Sequence, residues 1–401
     1  MKLKSLPLLM VAVFVLSFQG FAQNNKQVKE EKGYHFTDDV VVPHTAVDNQ
    51  YHSGTCWSYS TIGLVEAELL RTTGKKYNLS EMFCVNHTYS DKAIKYVRLH
   101  GKMGFGEGAE AADVFRVIKK YGIVPESVYT GMHYGTKLPE QAELNTVLKN
   151  YVDAIVMNKN KKLTPVWHKG FDKVLAAYMG ELPTSFTYDG KSYTPETFRD
   201  MLGINTDNFE GFTSFPSHPY YKAFPLAIPD NWLWASSMNI PLNEMMEIIN
   251  NALHNGYTVA WGADVSDRGF NWKKGVAIIP NHEPTMDSNE LAKWNAMSRR
   301  EKQKELYSFD SIVQEVTVTP EMRQKGYDNY TVTDDHGMLI VGIAHDQKGN
   351  VFYKIKNSWG THQKYDGYFY ASKAFVELQT IGIVVNKEAI PKKIKKETGI
   401  K

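Results

Sequence analysis

The chain has 401 residues, and its 46 Lys and Arg against 44 Asp and Glu leave a formal net charge of only +2. That balance excludes the strongly basic surface expected of a nucleic-acid or membrane-surface binder. A composition 42% hydrophobic and 12% aromatic supplies a sizeable core and excludes a disordered chain.

Lys2 and Lys4 head an apolar run over residues 5–18, and Gly20-Phe21-Ala22 supplies small residues before Gln23. This predicts a secretory signal over residues 1–22 and a mature protein that is periplasmic or extracellular, with no membrane partner after cleavage. An uncleaved anchor is the alternative. Residues 23–36 are polar and read as a flexible lead-in. A helical lobe is expected over residues 37–131. Its first helix opens at Cys56, carries Trp57, Ile62, Val65 and Leu69 at helical spacing, and stops at Gly74. A second runs over residues 109–121 and stops at Gly122. Residues 132–235 are rich in aromatics and proline and read as an inserted subdomain, with Asp189-Gly190 as a hairpin turn.

Residues 236–390 form the expected antiparallel lobe. A helix runs from Pro241 to about Asn255, followed by strands over residues 257–263, 338–343, 351–356, 367–370 and 381–385. Residues 391–401 are a tail whose lysines read as a solvated run. Helices first and strands later give an α+β class.

The chemistry starts at Cys56. A thiol attacks as thiolate, and a helix N-terminus or a nearby imidazolium favours that form. Ser53-Gly54-Thr55-Cys56-Trp57 puts Cys56 at a helix start, and Gly54 lets the backbone turn tightly there. A disulfide to Cys84 is the structural alternative. The preferred reading keeps Cys56 as a free thiol and Cys84 as a small buried hydrophobe. Gln50, six residues upstream, can aim an amide donor at the space faced by the Cys56 N–H, and two such donors make an oxyanion hole. His336 stands ahead of an apolar strand, where its ring can project into a cleft as the base. Asn357, in Asn357-Ser358-Trp359-Gly360, can accept the second ring N–H and fix the tautomer, with Trp359 covering that bond. Read singly, each of these is more ordinary: a loop glutamine, a structural histidine, an aromatic turn. No His pair has metal-ligand spacing, and neither a metal nor another cofactor is expected.

Gln-x5-Cys-Trp, Asp335-His336-Gly337 and Asn357-Ser358-Trp359-Gly360 together resemble the papain-like cysteine peptidases. Leu79-Ser80-Glu81, Lys120-Tyr121-Gly122-Ile123-Val124-Pro125, Gly180-Glu181-Leu182-Pro183 and Thr194-Pro195-Glu196-Thr197-Phe198 narrow the resemblance to the bleomycin hydrolase/aminopeptidase C family. The resemblance implies a two-lobe fold with a cleft between a helical and a β-barrel-like lobe. It also implies peptide substrates, aminopeptidase action and a homohexamer. Gly106, Glu107, Gly108 and Ala109 resemble the family's cleft wall and, with Trp57 and Trp359, are the expected substrate-binding residues. The segment after His336 is closer to the cathepsin pattern, and the arm that lies in the cleft of family members is short here. Endopeptidase action on the same fold, or a catalytically silent peptide-binding protein, are the alternatives.

Overall fold

Side-chain caps and left-handed glycines set most of the helix boundaries. The computed structural model describes residues 32–160 and 162–401, of which 33–401 form one unit. The expected signal and most of the lead-in lie outside the described residues. After β1 (Phe36–Val41), α1 (Cys56–Thr73) ends at Gly74 with φ 69°. The Ser80 hydroxyl accepts from the Phe83 N–H to open α2 (Glu81–Arg98). There follow α3 (Ala111–Tyr121), α4 (Ala142–Val156) and α5 (Trp167–Met179). The hairpin of β2 (Phe186–Tyr188) and β3 (Lys191–Tyr193) turns on Asp189 and Gly190, at φ 47° and 74°. Two consecutive positive φ values are what a twisted two-residue hairpin requires. Thr194 then caps α6 (Pro195–Leu202).

The rest of the chain is dominated by a sheet. Its elements are β4 (Phe209–Thr213), β5 (Lys222–Pro225), β6 (Ser236–Asn239), α7 (Leu242–His254), β7 (Val259–Ala263), β8 (Phe270–Asn271) and β9 (Val276–Ala277). Next come α8 (Ser288–Ala296), α9 (Arg299–Leu306), α10 (Pro320–Asp328), β10 (His336–Asp346) and β11 (Val351–Lys356). The chain closes with β12 (Tyr368–Ser372), α11 (Lys373–Gln379), β13 (Thr380–Asn386) and α12 (Lys392–Thr398). The strand order is β5-β6-β4-β13-β7-β10-β11-β12-β9-β8. β1 pairs with the far end of β10. Most pairings are antiparallel; β4 with β6 and β9 with β12 are parallel.

Two large apolar cores result. Phe83, Val114, Leu148, Phe171 and Phe198 belong to the helical one. Ile249, Trp261, Ile340, Phe375 and Val385 belong to the one between α7, α11 and the sheet. The fold is therefore α+β with a helical and a sheet lobe. Residues 132–235 do not stand apart as a body of their own. Their helices complete the helical core through Leu144, Phe171 and Phe198, while β4 and β5 extend the sheet beyond β13.

Both terminal segments depart from expectation for the same reason, an apolar side chain that finds a core. The lead-in is packed from Tyr34 onward: Tyr34 is buried, and Phe36 stacks on Tyr370 with ring centroids 4.2 Å apart. The basic run, expected to be solvated, forms α12. It lays Ile394 into the sheet core and pairs Lys393 with Glu244 at 3.2 Å, so only its lysine face meets water.

Arg323 on α10 fastens the sheet lobe. It is 1% exposed, and its guanidinium donates to the carbonyls of Ser214, Leu378 and Thr380 at 3.2, 3.2 and 2.7 Å, and to that of Glu377. Burial lowers its pKa to about 10, so it remains a cation at neutral pH. Arg323→Met strips these carbonyls of their donor, which should cost about 3 kcal/mol or more. A urea titration should show the midpoint falling with little change in slope; an unmoved midpoint contradicts this account.

Candidate active site

Cys56 is the first residue of α1, which carries no acidic side chain in its first turn, so the positive end of the helix faces the thiol uncompensated. Thr55 precedes it without capping through its side chain; its hydroxyl lies 2.6 Å from the Ser53 hydroxyl, which donates to the Gln50 carbonyl at 2.7 Å. Gly54 is required for close approach: a Cβ there would fall 2.8 Å from the Glu107 Cβ. Glu107 accepts from the Gly54 N–H through its carboxylate and from Trp57 Nε1 through its carbonyl, the latter at 3.0 Å.

The backbone amides of Gly337 and Trp57 face the sulfur and favour its thiolate, so the thiol of the helical lobe lies against the start of β10. Gly337 makes this contact possible. A Cβ there would stand 2.9 Å from Ser60 Oγ and 3.2 Å from the backbone of Trp57. His336, one residue earlier, is 4% exposed, and it lines one cavity of about 320 Å3 together with Cys56.

Asn357 Oδ1 lies 2.7 Å from His336 Nε2 and also accepts from the Ser358 N–H at 2.8 Å. An oxygen that already receives one N–H accepts from the ring too, so Nε2 carries the proton and Nδ1 is left with its lone pair. Trp359 stacks on the imidazole with centroids 4.7 Å apart and is itself braced edge-on by Phe270 and Trp272. The same turn holds Gln50. The Gln50 N–H donates to the Ser358 carbonyl at 2.8 Å, and the Ser358 hydroxyl donates to Gln50 Oε1 at 2.5 Å. That second bond orients the amide so that Nε2 faces the Cys56 loop, where one of its hydrogens goes to the Ser53 carbonyl at 2.7 Å.

Burial, with minor contributions from Asp334 and Asp230, pushes the Cys56 thiol up to about 12. Burial likewise lowers His336 to about 4, against the opposing pull of Asn357. Burial thus disfavours a lone charge on either group. Moving the proton from sulfur to Nδ1 creates two opposite charges side by side in a poorly solvated space, where each stabilises the other. The arrangement can thus generate a nucleophile on demand at an anchored base. Both cysteines are free, and Cys84 is buried in the helical core.

The expected substrate-binding residues separate. Trp57 and Ala109 line the cavity. Gly106 and Gly108 offer their carbonyls to Lys92 Nζ, Glu107 serves the Cys56 loop, and Trp359 covers the His336–Asn357 bond. Sequence reasoning missed four carboxylates that also line the cavity, Glu110, Glu210, Asp230 and Asp334, beside the Asp335 of the histidine motif. The Asp334-Asp335 pair directly ahead of His336 was the signal available for one of them; Glu110 and Asp230 have no distinguishing spacing.

Residues 35–193 match the model of the papain family of cysteine proteases, and residues 289–399 match that of the peptidase C1-like family. The chain is 24% identical to aminopeptidase C of Lactobacillus delbrueckii subsp. lactis, over 90% of this chain and 83% of that protein. It is 23% identical to aminopeptidase E of Lactobacillus helveticus, over 93% and 88%. It is 20% identical to the mitochondrial cysteine proteinase 1 of Saccharomyces cerevisiae strain YJM789, over 92% and 80%. The crystal structure of PepW from Lactobacillus rhamnosis HN001 superposes with a TM-score of 0.67 at 19% identity, covering 90% of this chain and 84% of that one, which establishes the common fold. With a thiol at a helix start and a histidine at a strand start meeting in one cleft, the chain belongs to the papain-like cysteine peptidases, of the aminopeptidase C type.

Proposed function

We propose that the chain hydrolyses peptide bonds next to a free N-terminus, through a thioester on Cys56. His336 Nδ1 takes the thiol proton as the sulfur attacks the carbonyl, then returns it to the leaving amine. Water next attacks the thioester with His336 as base. Asn357 positions the ring, and the Cys56 N–H and Gln50 Nε2 receive the developing oxyanion. The observation that carries this reading is the 2.7 Å contact between His336 Nε2 and Asn357 Oδ1, which leaves Nδ1 as the available base in the cavity that Cys56 lines. The aminopeptidase part draws on the names of the bacterial relatives.

Aminoacyl arylamides with a free amine should be cleaved at least about tenfold more efficiently than their N-acetylated forms, a difference of about 1.4 kcal/mol. Equal or reversed rates favour endopeptidase action instead. Cys56→Ala should cleave neither; residual turnover by that variant removes the mechanism.

The individual roles separate kinetically. Gln50→Ala should lower kcat about 100- to 1000-fold with little change in KM. Asn357→Ala frees the imidazole to turn and should cost about 100-fold. Its Cys56 should also react more slowly with iodoacetamide, which a purely structural role of Asn357 would not produce.

We also read the chain as exported, on Lys2, Lys4 and the apolar run over residues 5–18. N-terminal sequencing of the mature protein should then begin at Gln23; a chain that begins at its first residues contradicts export by cleavage.

A further inference from the structure

Three carboxylates from distant parts of the chain converge beside the nucleophile. Glu110 stands at the N-cap of α3, Asp230 on the loop before β6, and Asp334 two residues ahead of His336. Glu110 and Asp334 face each other, and burial raises both carboxyls above their usual range. Asp334 Oδ2 is buried and receives no hydrogen bond from any N–H or hydroxyl of the described residues. Its neighbour Asp335 is different: its two oxygens accept the N–H groups of Val265 and Ser266 at 2.9 and 3.2 Å.

Asp230 closes the other side, occupying the space where a Cβ on Gly108 would stand, 2.1 Å from its Oδ2. Lys92 eases the burial of Asp230 through space, but its ammonium donates to the carbonyls of Gly106 and Gly108. Asp113 lies behind, accepting the Glu110 N–H at 3.1 Å. The recess is thus walled by carboxyls, of which Asp334 lacks a donor at Oδ2. Burying a carboxylate without donors is costly, and a cation that arrives with a ligand offsets that cost.

We propose that this recess receives the α-ammonium group of the peptide substrate, with Asp334 as its direct partner and Asp230 and Glu110 completing the carboxyl wall. The proposal rests on the peptidase reading and supplies the group that sets the distance from N-terminus to cleaved bond. Asp334 and Asp230 both act electrostatically on the Cys56 sulfur. The cation they hold therefore sits within one or two residues of the attacked carbonyl, at about 3.3–3.6 Å per residue. Residues 394–400 lie elsewhere: Ile394 and Ile400 pack on the sheet core beside α7. A bound ammonium also cancels part of the field that keeps the thiol protonated. A free-amine substrate therefore assists its own attack as well as binding more tightly.

Calorimetric titration of the Cys56→Ala chain tests the recess without turnover, using trialanine amide, its N-acetylated form, and an N-acetylated peptide with lysine in second place. The free-amine peptide should bind about 10- to 100-fold more tightly than either acetylated one, as a charge-assisted hydrogen bond of about 1.5–3 kcal/mol requires. Adding Asp334→Asn should bring trialanine amide to the level of its acetylated form while leaving the melting temperature within a few degrees. Asp230→Asn, the second variant, should narrow the gap as well. Equal affinities for the free and acetylated peptides, or binding of neither, overturn the proposal. So does recovered affinity for the lysine peptide, which would assign the recess to a side chain. A wild-type chain that shows the binding preference but cleaves none of the peptides overturns the peptidase reading and leaves the recess standing.

Discussion

The close passage of β10 over the first turn of α1, at Gly337, is the contact on which the site depends. The thiol belongs to the helical lobe and the imidazole to the sheet lobe, and each lobe has an apolar core of its own. Between them lies only a small cluster in which Leu64 of α1 meets Ala260, Leu339 and Val341 of the sheet. α1 therefore has to be apolar on two sides. It also has to be small where the strand crosses, which Ser60 satisfies on the helix and Gly337 on the strand. A methyl group at 337 would push apart the two backbones whose separation sets the distance from sulfur to ring.

Around that contact the polar groups form a connected chain. His336 is held by Asn357, the Asn357 amide is oriented by the Ser358 N–H, and the Ser358 hydroxyl and carbonyl hold Gln50, which reaches back to the loop carrying Cys56. His336, Asn357 and Gln50 thus share one scaffold, and a shift in any of them is passed to the others.

Local signals account for what the sequence revealed. Gly74, Gly122 and Asp189-Gly190 mark their turns because positive φ is a property of single residues, and the apolar runs of β10 and β13 declare buried strands without help from distant partners. α2 was not legible, because it buries Asn86, Thr88 and Lys92 along with its apolar residues, and only tertiary partners explain that burial. Nor were β4 to β6: short, partly exposed strands gain their identity from pairing with β13, far along the chain. The motif-bearing residues Gln50, Cys56, His336 and Asn357 were visible because each sits at the edge of an element. Glu110 and Asp230 belong to no such motif, and Asp334 has only its place ahead of Asp335-His336, since a carboxylate in a polar stretch reads as a surface residue until the fold buries it.

That burial gives the cleft an electrostatic character that the Cys–His pair alone does not have. Burial, reinforced by the carboxylates facing the sulfur, favours the protonated thiol. Desolvation alone holds a thiol protonated, as at Cys84. At Cys56 the same desolvation strengthens every charge brought into the cavity: the imidazolium formed on proton transfer, the helix end, and any cation the substrate carries. The cavity thus favours a charge on the sulfur most where opposite charges are assembled around it.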